Sequence, residues 1–153
     1  MKCDVSFEGL DGIIDAMEKA GSETAARRLR QETGRKLAER AREEMKKHIP
    51  VSRDNSRSGR KGSRPTHGHA RDNIPTSVRT NRDGVTYANV GWRLSDNSEY
   101  FYMKYVEWGT HGKHPQPAKH FLEATLDALD GVSGEIIEKE VMLTLKEQGF
   151  DVS

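Results

Sequence analysis

Five of the six histidines form two local clusters, and imidazole is both a common metal ligand and an acid-base group near neutral pH. One cluster is His67 with His69, and the other is His111, His114 and His120. Zinc sites usually combine histidine with cysteine or with carboxylates on ordered elements. These clusters instead occupy segments rich in glycine and proline without a nearby cysteine, so we expect solvated loop histidines, no metal and no cofactor. A metal-dependent hydrolase is the alternative that the histidines leave open.

The nucleophiles and acids of the chain do not form a recognisable catalytic set. The single cysteine, Cys3, lies next to the N-terminus, and the sequence has neither the Gly-x-Ser-x-Gly of a nucleophile elbow nor the Gly-Lys-Ser/Thr of a phosphate-binding loop. Among the 24 acidic residues only Glu107 lies within an apolar run, Tyr-Val-Glu-Trp-Gly. We expect its carboxylate to face solvent or to pair with Lys104, and we predict that the protein is not an enzyme.

A basic segment, residues 51–73, has almost no apolar side chains and carries six Lys or Arg residues against two aspartates. Such a segment buries too little apolar surface to offset the entropy of ordering, so we predict a mobile loop at 52–73. The loop is either simply solvated or an arm that contacts phosphates or an acidic partner. We call it the basic arm; its cations are Arg53, Arg57, Arg60, Lys61, Arg64 and Arg71.

The composition predicts one domain with a thin core. The 153 residues fit one domain over 1–153, yet only 33% of them are hydrophobic and 32% are charged. The core is therefore thin, or neighbouring subunits complete it. A net charge of +1 favours neither a nucleic-acid nor a membrane partner, and no apolar run approaches the about 18 residues of a membrane span. One cysteine excludes an internal disulfide and fits folding in a reducing cytosol. The N-terminus has no apolar stretch of signal-peptide length, so we do not expect export.

Hydrophobic spacing predicts helices in the first third of the chain. Residues 2–7 alternate weakly and suggest a short strand, and a helix face follows from Leu10 to Met17. The longest helical signal covers 22–48, with Ser22 as its N-cap. Its apolar stripe is narrow and consists of Ala26, Leu29, Thr33, Leu37, Ala41 and Met45.

A β-hairpin is predicted over 74–92, because β-branched residues alternate on both sides of an Asp-Gly turn. The aromatic segment that follows places Phe101, Tyr105 and Trp108 at i, i+4 and i+7, which suits either a short helix or a strongly bent strand. Trp108 then anchors the core or an interface.

Two further helices are predicted after the aromatic segment. The first begins near Pro117, which suits a first helical position, and the second near Ser133. The expected fold class is α+β: a small antiparallel sheet with a β-hairpin, covered by a long N-terminal helix and C-terminal helices.

The segment YMKYVEWGT…HPQPAKHFLEATLDA resembles a motif of a bacteriophage tail-component family, the gene-product-ten-like family of HK-type siphophages. The family pattern is Tyr, then Val-Glu-aromatic-Gly-Thr, a short loop, and Pro-x-x-Phe-Leu-x-x-Ala-Leu. The chain departs from this pattern by two extra residues within 118–120. The matching residues are Tyr105, Val106, Glu107, Trp108, Gly109, Thr110, Pro117, Phe121, Leu122, Ala124 and Leu126.

Three earlier segments are similar to the same family. GLDGIIDAMEKAG resembles its opening helix, KKHIPV the end of its long helix, and GHARDNIPTSV the start of its first main strand. Relative to the family pattern, residues 52–66 are an insertion between the segments KKHIPV and GHARDNIPTSV. The resemblance therefore runs from Gly9 to about Leu129, with the segments in the family's order.

The resemblance implies a structural virion protein without a catalytic site, which acts in head–tail joining or tail completion. Relatives assemble as rings, with a hexamer as the expected form, and the expected neighbours are neck or connector proteins and tail-tube or tail-terminator proteins. Its expected location is the neck or upper tail of the virion, and the host cytoplasm during assembly. Genomic DNA in the lumen is a further expected partner, and no membrane is involved. The alternative is a small nucleic-acid-binding protein that uses the basic arm over 53–71.

We expect the aromatic segment and the loop after it to contact a neighbouring subunit, with 111–117 reaching outward. The basic arm would contact DNA in the lumen or an acidic partner. The expected interface residues are Phe101, Tyr105, Glu107, Trp108, Gly109, Thr110, His111, Lys113 and His114.

Overall fold

The computed structural model describes residues 23–53, 68–130 and 133–147. The predicted strand at 2–7 and the helix from Leu10 lie outside these ranges. None of the helices within them has the length and apolar character that crossing a membrane requires. The elements in chain order are helix α1 (Glu23–His48), a 3₁₀ helix (Ala70–Asn73), strands β1 (Thr76–Thr80) and β2 (Thr86–Val90), and helices α2 (Met103–Trp108), α3 (Phe121–Asp130) and α4 (Ser133–Glu147).

The predicted fold class is confirmed. The long helix α1 packs on a two-stranded antiparallel hairpin, and helices make up the C-terminal part of the chain. The chain, predicted as one domain over 1–153, divides into two compact units. Among the described residues, one contains 41–53, 68–75 and 90–130, and we call it the aromatic unit. The other, the hairpin unit, contains 23–40, 76–89 and 133–147.

The core of the hairpin unit joins the first turns of α1 to α4. Ala26 and Leu29, both in the apolar stripe predicted for α1, are fully buried against Val141 and Leu145 of α4. Charged groups lie at the edge of this contact. Lys36 Nζ is 2.9 Å from Glu147 Oε2, and a second pair joins Arg40 to Glu140.

The hairpin turn follows from its own side chains. Asn81 donates its backbone N–H to the Val85 carbonyl at 2.9 Å and accepts the Val85 N–H on its side-chain oxygen at 2.8 Å. Gly84 has φ +82°, a conformation that glycine adopts readily. The strands are shorter than the predicted 74–92, because Ile74 ends the 3₁₀ helix and packs in the core of the aromatic unit instead.

The core of the aromatic unit gathers residues that are far apart in the chain. Met45 and Ile49 from the end of α1 meet Ala70 and Ile74, with Met103 and Phe121 completing the buried cluster. The 3₁₀ helix lies inside the segment predicted as a loop. It is ordered there because Ala70, the one apolar side chain of that turn, is buried.

Two buried threonines on helices provide a matched test of side-chain hydrogen bonding in the hairpin unit. Thr144 donates its hydroxyl to the Glu140 carbonyl at 2.7 Å, whereas the buried hydroxyl of Thr33 has no partner among the described residues. Burying a hydroxyl without a partner costs about 1–3 kcal/mol. We therefore expect Thr33→Val to raise the free energy of unfolding by about 1 kcal/mol, and Thr144→Val to lower it. Urea denaturation measures both; a loss of stability in Thr33→Val would contradict the assignment.

Candidate subunit interface

Helix α2 settles which of the two predicted conformations the aromatic segment adopts. Its buried residues are Met103 and Glu107, one turn apart. Tyr105 lies about 200° around the helix from Met103, at about 100° per residue, and is therefore on the opposite side. Trp108, which we expected to anchor either the core or an interface, is therefore exposed together with Tyr105, and Met103 is the buried anchor of the helix.

Three large apolar side chains of the aromatic unit are exposed near this helix. Leu94 is 63% exposed, Tyr105 47% and Trp108 54%. Tyr105 and Trp108 are three residues apart, so they occupy neighbouring positions on the helix surface. Leu94 and Trp108 border the same shallow recess. We call Leu94, Tyr105 and Trp108 the aromatic patch. Phe101, also predicted at the interface, is half-buried and packs edge-on against Tyr102 at 6.1 Å between ring centroids.

The turn after α2 is built on Gly109, whose φ is +75° and ψ −179°. This region of backbone space is essentially restricted to glycine. A Cβ at this position would lie 2.7 Å from the Gln116 carbonyl oxygen and 2.9 Å from the Ala118 nitrogen. The Gly-Thr turn therefore brings the two ends of the loop into backbone contact, which only glycine permits.

Hydrogen bonds close the loop 111–117 at its base. Thr110 donates its N–H to the Gln116 carbonyl, and Gln116 returns its N–H to the Thr110 hydroxyl, both at 3.0 Å. The N–H groups of Lys119 and His120 then bond the Val106 and Glu107 carbonyls at 2.9 and 3.3 Å. These carbonyls belong to the last turn of α2, where no helical partner is available.

The residues of this loop are exposed, including His111, Lys113 and His114, which were predicted at the interface. The prediction that α3 begins at Pro117 is wrong. The helix begins at Phe121, because residues 118–120 extend back along the end of α2 to bond its carbonyls.

Glu107 is the main correction to the predicted interface. It is only 2% exposed, so it neither faces solvent nor lies on the surface that its neighbours share. Its Oε2 accepts the backbone N–H of Leu122 at 3.0 Å, one of the donors that the first turn of α3 leaves without a helical partner. Its negative charge also lies at the positive end of that helix. The expected partner, Lys104, donates to the Leu94 carbonyl at 3.2 Å instead.

The described histidines do not converge. No group of three or more His, Cys, Asp or Glu side chains in the described ranges is placed to hold a metal ion. His120 Nδ1 lies 3.5 Å from Glu123 Oε2, while the His69 carbonyl accepts bonds from Asp72 and Asn73. His67 lies outside the described residues.

Two cations of the basic arm lie within the described residues. Arg53 and Arg71 are both exposed, and Arg71 Nε is 3.8 Å from Asp72 Oδ1 on the 3₁₀ helix. The cations outside the described ranges are Arg57, Arg60, Lys61 and Arg64.

Sequence reasoning missed Leu94 and Lys104 as part of this surface. Leu94 had a signal, since it is the one large apolar side chain in the polar segment 93–99. Lys104 had none, because its place beside Leu94 depends on a hydrogen bond across ten residues. Its ammonium also lies 5.4 Å from the centroid of the Tyr105 ring.

No protein family model, curated protein or solved structure matches this chain. The features that carry a functional proposal are therefore those of the chain itself: the exposed aromatic patch, the closed loop beside it and the buried carboxylate beneath them.

Proposed function

We propose that this chain is a structural protein of the neck or upper tail of a tailed bacteriophage, which assembles through the aromatic patch and the loop 111–117. The observation that carries the proposal is the exposure of Tyr105 and Trp108 on a turn that hydrogen bonds hold in place. The sequence resemblance supplies the kind of assembly, and the exposed surface supplies a means of joining neighbours.

Exposed aromatic residues next to each other favour an interface over simple solvation. Trp and Tyr bring large apolar area with a polar edge, and they are enriched among the residues that dominate binding energy. Truncating such a residue at the centre of an interface costs about 2 kcal/mol or more. Trp108, more than half exposed, is therefore the residue from which we expect the largest effect on assembly.

The closed loop base favours binding for a second reason. A flexible loop loses conformational entropy when it becomes ordered on association, whereas a loop that is already held in place loses little. The reciprocal bonds between Thr110 and Gln116 supply that order at the base of 111–117. Identical subunits that contact each other through two different surfaces form a closed ring when the rotation from one subunit to the next divides a full turn evenly. We propose a hexamer.

Neck or connector proteins and tail-tube or tail-terminator proteins are the neighbours we propose for such a ring. The basic arm would then face DNA in the lumen or an acidic surface. The exposed Arg53 and Arg71 are available for such contacts.

Assembly is tested by native mass spectrometry and sedimentation of the purified chain, alone and with candidate neck proteins. We expect a ring of identical subunits, and we expect Trp108→Ala to weaken its association about 30-fold or more, as a loss of about 2 kcal/mol implies. Circular dichroism of the variant checks that it remains folded.

Leu143→Ala is the matched control, because Leu143 is an exposed apolar residue of the hairpin unit outside the patch. It should leave assembly unchanged. A Trp108→Ala variant that assembles normally and completes phage would contradict the proposal. A chain that stays monomeric with these partners and binds DNA with a steep salt dependence would instead favour the nucleic-acid-binding alternative.

A further inference from the structure

The positive charge of the hairpin unit is concentrated on α1 and the hairpin. In this unit the segments 23–40 and 76–89 carry eight Lys or Arg residues against four Asp or Glu residues, although the whole chain has only one more cation than it has acids. Lys36 and Arg40 are paired with glutamates of α4. Five other cations of these segments are exposed arginines, and no ion pair of theirs is found within the described ranges. We call them the arginine surface: Arg27, Arg28, Arg35, Arg79 and Arg82.

The hairpin turn lies beside the first half of α1, which brings arginines of both elements to one end of the unit. A Cβ on Gly84 would lie 3.6 Å from Nη1 of Arg30, so the helix and the turn are in close contact there. Arg27 is three residues before Arg30 and therefore its neighbour on the helix surface. Arg82 is two residues before Gly84 in the turn. Arg27 and Arg82 therefore flank the same contact from two elements that are distant in the chain.

The register of the hairpin places a further arginine on the face that α1 does not cover. Thr86 points toward α1, since its methyl group would lie 3.3 Å from a Cβ on Gly34. Its hydroxyl meets that of Thr80 at 3.0 Å across the strands, so these two residues are opposite each other on the inner face. Side chains alternate along a strand, and the adjacent pair, Arg79 and Tyr87, therefore projects from the outer face. Both are exposed, and guanidinium and phenol hydroxyl groups are common donors to phosphate oxygens.

We propose that the arginine surface binds the phosphate backbone of duplex DNA. Like charges on one compact unit repel each other, and an anionic ligand relieves that repulsion. The cations of this surface are all arginines, whose planar guanidinium can bond two phosphate oxygens at once. Protein–DNA interfaces are much more positively charged than protein–protein interfaces, in which charged residues are depleted at the centre. A two-stranded hairpin is also narrow enough to enter the major groove.

The inference goes beyond the proposed function, because the arginine surface lies in the hairpin unit and requires neither the aromatic patch nor a ring. It is also distinct from the basic arm, whose described cations, Arg53 and Arg71, belong to the aromatic unit. Binding of DNA by the arginine surface therefore does not depend on the basic arm.

Fluorescence anisotropy of a labelled DNA duplex, titrated with the purified chain at about 50 to 200 mM salt, measures the binding. We expect the logarithm of the affinity to fall linearly with the logarithm of the salt concentration, as the release of counterions from phosphates requires. In the double variant Arg79→Ala with Arg82→Ala the slope should become shallower by about 1.8, because each lost phosphate contact reduces it by about 0.9. Circular dichroism checks that the variant is folded. If it is not, Arg27→Ala with Arg28→Ala takes its place, with the same expected change.

Two further double variants serve as controls. Lys113→Ala with Lys119→Ala removes two exposed cations from the aromatic unit and changes the net charge by the same amount, and its slope should stay unchanged. Arg79→Lys with Arg82→Lys keeps the charge but loses the forked geometry of the guanidinium. It should retain the slope and bind the duplex several-fold more weakly.

Several results would overturn the inference. They are no binding at about 50 mM salt, an equal loss of slope in the arginine and lysine alanine variants, or a charge-conserving variant with the slope of the alanine variant. Tighter binding of poly-glutamate than of the duplex would also overturn it, since the partner would then be an acidic polypeptide. A chain that assembles into a ring without binding DNA would retain the proposed function and lose this surface. A monomer that binds DNA through these arginines would do the reverse.

Discussion

Gly109→Ala is expected to destabilise the aromatic unit by about 3 kcal/mol, a large part of the stability of a small protein. Two effects combine at this position. The backbone conformation is one that residues with a side chain rarely adopt, and the new methyl group would stand 2.7 Å and 2.9 Å from backbone atoms of Gln116 and Ala118. Backbone atoms cannot move aside as a flexible side chain can, so the loop base must open. Both tryptophans lie in this unit, so denaturation followed by tryptophan fluorescence reports the loss directly.

Gly112→Ala separates the two effects. Gly112 also has a positive φ, +143°, but nothing lies within 4 Å of a Cβ built there. Gly112→Ala should lower the free energy of unfolding less than Gly109→Ala does, because only the backbone preference of glycine is lost and the loop is exposed. Equal losses in the two variants would show that the close contact at the loop base is unimportant. The Gly109 variant should also weaken assembly, since the loop and the patch depend on the same turn.

Gly34→Leu is expected to destabilise the hairpin unit by about 2 kcal/mol, despite the better helix propensity of leucine. A Cβ on Gly34 would already lie 3.0 Å from a methyl of Val78 and 3.3 Å from the methyl of Thr86. Three further carbon atoms have no room there, so helix α1 must move away from the hairpin. Urea denaturation followed by far-ultraviolet circular dichroism, with amide exchange of β1 and β2, measures the change.

Gly134→Leu is the control for the helix propensity. Gly134 lies in the first turn of α4, and nothing lies within 4 Å of a Cβ built there. That variant should be neutral or stabilised by a few tenths of a kcal/mol, as expected of replacing an exposed helical glycine. If Gly34→Leu behaved in the same way, the close packing of α1 on the hairpin would be disproved.

The elements that the sequence predicts well are those with local causes. Helix α1 follows from a long apolar stripe and its end before Pro50, and the hairpin follows from the side chain of Asn81 and the conformational freedom of Gly84. Each depends on residues that are neighbours in the chain, so periodicity and turn chemistry suffice to find them.

The details that the sequence misplaces depend on contacts between distant residues. Within the stripe of α1, Leu37 and Ala41 are only half-buried while Ala38 is fully covered. The start of α3 is shifted from Pro117 to Phe121 because 118–120 extend along the end of α2. No local sequence pattern specifies which distant segment packs on a helix face or donates a hydrogen bond to a given carbonyl.

The aromatic segment contains both features that follow from local sequence and features that depend on distant contacts. The sequence by itself determined that a Gly-Thr turn follows a run of aromatic residues and precedes an outward loop. Only the tertiary structure decided that Glu107 is buried and Trp108 exposed. The reason is that a six-residue helix has two faces, and the side that carries Met103 packs against the cluster formed by Met45, Ile74 and Phe121. Burial of Met103 places Glu107, one turn later, beside the backbone N–H of Leu122, and leaves Tyr105 and Trp108 exposed.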